Sequence, residues 1–266
     1  MAGATDLVLL NLPVLMVSAF VSDRVAVAQW GLTRVVAGLL RVLCVQTTLP
    51  LAAELGHDHA VGDTPRLQSL YARGSVLVIL LAGIVVSGLL PFWPDFFALW
   101  THGVVPYDPV LTVTLLLGTA AAAPSILALN YANYSNRGGL LVRAKGLQLF
   151  VFLVLSVVLI PSTGLIGAAV AVIASELLVQ FGMLGWIILR RTLHHPLRHL
   201  CFLAAVMIVV TLAGWALGTA IRLAVPLAEP LRFFVECGLW LSVVAAAASP
   251  LAIESVRARL TATIPH

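Results

Sequence analysis

Long apolar runs separated by short polar breaks fill the chain from end to end. A helix crossing a bilayer needs about 20 consecutive apolar residues. Runs of that order lie at 5–22, 31–54, 75–93, 110–131, 139–160, 165–189, 199–224 and 231–253. They are continuous, which argues against the shorter alternating segments of a membrane barrel. Leu, Ala and Val dominate them, and Gly83, Gly88, Gly167, Gly182 and Gly185 give helices room to approach. Pro13, Pro50 and Pro124 fall inside runs or near their ends, where each removes an N–H and loosens the helix. The first run lacks the basic flank and small-residue cleavage site of a signal peptide. The expected fold is all-α, a polytopic transmembrane helix bundle of about eight spans.

Composition strengthens that reading. Of 266 residues, 61% are hydrophobic and 10% are charged, with a mean hydropathy of +1.07. Soluble domains carry about 25% charged residues to keep their surfaces wetted, so a soluble domain is excluded. The net charge of +4 does not imply a nucleic-acid partner, because no basic stripe with interleaved aromatics is present. The basic residues instead collect in alternate breaks. Arg66, Arg73, Arg137, Arg143, Lys145, Arg190, Arg191, Arg198, Arg257 and Arg259 lie on one side, and Arg24, Arg34, Arg222 and Arg232 on the other. The positive-inside rule then places both termini in the cytoplasm.

No P-loop, H-E-x-x-H, G-x-S-x-G elbow or dinucleotide glycine fingerprint occurs, so an enzyme is disfavoured. No cofactor is implied. Cys44, Cys201 and Cys237 lie far apart in apolar runs and read as buried, inert thiols. The longest break, 56–74, carries His57, Asp58, His59 and Asp63, whose spacing matches no common metal pattern. Asp95 and Asp108 show no telling pairing, and Asp6 and Glu236 stand near span ends where they can reach the interface.

Two charged residues stand near mid-span, Arg41 in the second run and Glu176 in the sixth. Each costs about 2.5–3.5 kcal/mol on the insertion scale. Arg34 precedes Arg41 by about two helical turns, so both project from one face, with Gly38 between them and Thr48 beyond. Arg34, Arg41, Thr48 and Glu176 are the candidate substrate-binding residues. The competing reading is an Arg41–Glu176 ion pair that only holds helices together.

Several segments resemble polysaccharide flippases. Ser22–Val35 (SDRVAVAQWGLTRV) is similar to the end of a lobe's first helix and the start of its second. Leu49-Pro50, the G-D-x-x-x-L of Gly62, Asp63 and Leu67, and LPFWPDFFALWTHG at 90–103 follow in the family's order. IPSTGLIGAAVAVIAS at 160–175 resembles its short turn into a helix. The chain thus resembles the multidrug/oligosaccharidyl-lipid/polysaccharide exporter superfamily, in its O-antigen or lipopolysaccharide flippase branch. The resemblance covers about residues 5–200. It departs from the family near Asn11 and Pro13, where an acidic residue is often found.

The resemblance implies a second-lobe-like six-helix bundle over 1–198, then two additional helices and a short cytoplasmic tail over 199–266. It implies a bacterial inner-membrane transporter that flips polyprenyl-pyrophosphate-linked oligosaccharide between leaflets by alternating access. The expected partners are the lipid bilayer, the lipid-linked oligosaccharide, and either a missing N-terminal lobe or a second copy of the chain. The alternatives are a multidrug or ion-coupled exporter of the same superfamily, with Glu176 as its exchanging acid, and a non-transporting membrane component of polysaccharide assembly.

Overall fold

The short polar breaks are helix caps. Asp23 accepts from the backbone N–H of Val25 at 2.9 Å, Asp63 from Arg66 at 3.2 Å, and Asp108 from Val110 and Leu111 at 2.9 and 3.0 Å. Each carboxylate satisfies donors that a helix start leaves bare. Proline occupies the first helical positions after Asp63, Asp108 and His195, where its missing N–H costs nothing. Gly62 (φ 82°) and Gly164 (φ 60°) take the positive φ that ends one helix and turns the chain into the next.

Among the described residues the chain forms eight helices: α1 Ala2–Phe20, α2 Arg24–Val61, α3 Thr64–Thr101, α4 Pro109–Tyr134, α5 Gly138–Thr163, α6 Leu165–Thr192, α7 Pro196–Ala224 and α8 Leu231–Ala248. The computed structural model describes residues 2–225 and 231–249, and the side chains of 2–7 and 10 fall outside that description. Arg257, Arg259 and the expected tail therefore lie outside the described residues, as does the Asp6 side chain. Among those described there is no strand. Helices α2 to α8 are each long and apolar enough to cross a membrane, and α1 contributes the shorter apolar stretch Asn11–Phe20. The chain is an all-α, multi-pass membrane bundle.

The break expected over 56–74 is helical except at its centre. Helices α2 and α3 each run for 38 residues, about 57 Å at 1.5 Å per residue. Hydropathy marks only the part bathed in hydrocarbon, and nothing between Glu54 and Val61 breaks the helix before Gly62 does. Leu55, Leu67, Tyr71, Tyr131, Leu141 and Ile188 form a second core under these extensions. The main core lies towards the other end of the bundle and includes Trp30, Leu40, Phe97, Leu111 and Ile126.

Helix α4 is the most enclosed and packs on α2, α3 and α6. Helices α5 and α6 form a tight hairpin about Gly164, and α1 lies against α5 and α2. Helix α7 runs along α3, and α8 packs on both. The two trailing helices therefore sit on the far side of α3 from α1 and α5. Their seam is polar as well as apolar. Arg222 Nη2 donates to Asp95 Oδ1 and Arg232 Nε to Glu236 Oε1, both at 2.7 Å. Glu236 is fully buried, where the sequence placed it within reach of the interface, and Asp95 is paired inside α3, where the sequence showed no telling pairing. An arginine on α7 or α8 neutralises each carboxylate that the seam encloses.

Candidate ligand groove

A groove of about 880 Å³ runs between α1, α2, α4, α5 and α6. Its walls are largely apolar, with Val14, Trp30, Leu115, Phe152 and Ile173 among them. Two turns of α2 bring Arg34 and Arg41 to it from one helix face, as their spacing predicts. Glu176 enters from α6, and Arg41 Nη1 donates to its Oε1. Arg41 Nη2 stands 3.5 Å from Gln180 Oε1, the outer limit of a hydrogen bond. Glu176 and Gln180 are both buried, and among the described residues Gln180 Nε2 has no acceptor. Both lie in the segment Glu176–Gly185, where α6 adopts π-helical hydrogen bonding, a local widening often found at functional sites. No hydrogen bond or ion pair holds the Arg34 guanidinium among the described residues.

The Arg41–Glu176 ion pair of the competing reading thus exists, and it lies on the wall of the groove rather than away from it. Thr48 does not reach the groove surface. It is fully buried, donating to Cys44 O at 2.9 Å and accepting from Asn130 Nδ2 at 2.8 Å. Asn130, on α4, is the side chain that lines the groove there.

Lys145 is the main residue that the sequence misplaced. Read as part of a polar connection, it lies two turns inside α5, is 4% exposed, and lines the groove with Gln148. Lys145, Gln148, Phe152 and Ser156 all sit on the buried face of α5. Polar residues at 145, 148 and 156, three and then eight apart on one face of an apolar run, are the signal that could have revealed them. Counted from the α5–α6 turn, Glu176 stands about 16 Å and Lys145 about 27 Å along their helices. The groove therefore carries positive charge at more than one depth.

Other polar clusters lie elsewhere. Asp58 is buried with Arg66 Nε 3.5 Å away, and the His59 ring meets Tyr131 edge-on at 6.0 Å. Among the described residues no three His, Cys, Asp or Glu side chains converge as a metal centre requires. Cys44 is buried, whereas Cys201 is exposed on α7 and Cys237 is half-buried on α8, so only the first matches the expectation of buried thiols. Comparison with protein-family models, with curated proteins and with solved structures finds no match to this chain.

Proposed function

We propose that this chain is a membrane transporter that flips a polyprenyl-diphosphate-linked oligosaccharide across a bacterial inner membrane, serving polysaccharide or lipopolysaccharide assembly. The observation that carries the reading is the charge of the groove. Arg34, Arg41 and Lys145 bring positive charge to its lining from α2 and α5. A diphosphate diester carries two negative charges. Planar guanidinium groups suit its oxygens because they donate parallel hydrogen bonds. The apolar walls suit a polyprenyl chain, which would lose nothing on leaving lipid for them.

Buried charge in a membrane is costly unless compensated or used, and Arg34 faces the groove with no ion pair among the described residues. Both termini are cytoplasmic on this reading, with the Gly62 end of the bundle on the cytoplasmic side. Val35, Leu39 and Val42 at the groove's rim are exposed, so an opposing lobe or a second copy would close it. A second reading is favoured by Glu176 alone: a buried acid facing a groove suits an ion-coupled exporter of hydrophobic cations.

Reconstitution in liposomes with a fluorescent polyprenyl-diphosphate sugar tests the proposal. Transfer between leaflets, lost on replacing Arg34 and Arg41 by Gln, is expected. Transport of an organic cation with no effect of these replacements would overturn it in favour of the second reading.

A further inference from the structure

Of the two groove guanidiniums, that of Arg41 is already held by a carboxylate of the same chain, Glu176. A carboxylate and a diester phosphate present the same feature to a guanidinium, two negative oxygens in one plane with the donors. Glu176 therefore occupies the position that the diphosphate of the proposed substrate would take. For substrate to reach Arg41, Glu176 has to leave, and a buried carboxylate stripped of its donors is strongly disfavoured.

Gln180 supplies what the freed group would need. It lies one turn beyond Glu176 on the same helix face, it is 1% exposed, and its Nε2 has no acceptor among the described residues. Native proteins seldom leave a buried amide N–H₂ without a partner. The Gln180 oxygen meanwhile faces Arg41 Nη2 at the edge of bonding distance. The amide thus stands beside the pair with its acceptor turned to the cation and its donor unused.

We propose that Glu176 is a displaceable internal counter-anion: the ligand diphosphate replaces it on Arg41, and Gln180 Nε2 receives the displaced carboxylate. No proton is transferred in the exchange: Glu176 and the diphosphate trade places as anions, and each keeps N–H donors. The exchange makes the groove selective. A weak or singly held anion cannot compensate the lost Arg41–Glu176 contact, whereas a bidentate diphosphate can. This rests on the reading of the groove as a diphosphate site.

The test is binding to the full chain in lipid nanodiscs, with two probes: farnesyl-diphosphoryl-N-acetylglucosamine and inorganic pyrophosphate. Glu176→Gln is expected to tighten both by about tenfold, having removed the competitor. Gln180→Met is expected to weaken both severalfold in the native background and to have no effect in Glu176→Gln. Affinity unchanged or lowered by Glu176→Gln overturns the displacement, as does a Gln180→Met effect that persists without Glu176. If Glu176→Gln does not yield folded protein, Gln180→Met alone decides, and unchanged affinity overturns the proposal. Pyrophosphate following this pattern while the lipid-linked sugar does not bind would sustain the displacement and sink the flippase reading. Lipid-linked sugar bound equally by native and Glu176→Gln proteins would do the reverse, and absence of binding by either probe would sink both.

Discussion

Arg222, near the end of α7, holds α3 at two points: Nη2 donates to Asp95 Oδ1 at 2.7 Å and Nη1 to Pro91 O at 3.2 Å. Its own carbonyl accepts from Arg232 Nη2 at 2.9 Å, so one residue ties three helices together. Arg222→Ala is expected to lower stability by about 1.5–3 kcal/mol, the range for hydrogen bonds to a charged group. Arg222→Lys should recover part of it, keeping charge but losing the fork. Thermal unfolding in nanodiscs measures the loss. Ligand affinity should be unchanged, because α7 contributes nothing to the groove.

Gly88 on α3 lies directly beneath Trp240 of α8, and a methyl group added there would stand 2.7 Å from the ring. Gly88→Ala should displace the indole and cost about 1–3 kcal/mol, as overpacking does. A shift in tryptophan emission with a lowered unfolding midpoint is the expected result. An unchanged midpoint would mean that α8 is not seated on α3 as described.

Arg41→Lys separates the two roles of that residue. An ammonium preserves the attraction to Glu176 but cannot donate two parallel hydrogen bonds. The variant should keep most of its native stability, since the buried charge stays paired, and lose about tenfold in diphosphate affinity. Loss of stability with affinity intact would assign Arg41 to helix assembly alone.

Orientation is testable at two exposed, unstrained positions. Val61 is 68% exposed at the end of α2, and Val104 is 76% exposed between α3 and α4. In a background with Cys201→Ser and Cys237→Ser, an impermeant thiol reagent outside the cell should label Val104→Cys and spare Val61→Cys. The reverse pattern overturns the cytoplasmic placement of the termini.

The helices were legible in the sequence because each apolar run has to become one in a bilayer, where every backbone N–H and C=O must be satisfied within its own segment. Their lengths were less so. The polar tails of α2 and α3 look like loop, and only Gly62, Asp63 and Pro65 mark where the turn falls. Arg34, Arg41 and Glu176 stood out because charge in an apolar run is rare. Lys145 was hidden by its nearness to Arg137 and Arg143, which made three residues read as one polar connection. Thr48 was over-read for a related reason: its hydroxyl lies on the right face of α2, but Asn130 covers it. Glu236 shows the limit of counting residues from a helix end, since its burial depends on α3 and α7, which no local pattern encodes.

The π-helical stretch of α6 has an effect on how the sequence can change length. Over Glu176–Gly185 each hydrogen-bonded turn encloses one residue more than an α-turn does. That extra residue is slack. Deleting one position between Gln180 and Gly185 would let the segment close into ordinary α-helix, keeping Glu176 in place and leaving Ile188 and Leu189 facing their neighbours. Elsewhere in α6 the same deletion would rotate the whole following face away from its neighbours. This stretch is therefore where a transmembrane helix of fixed span can gain or lose a residue without losing its partners.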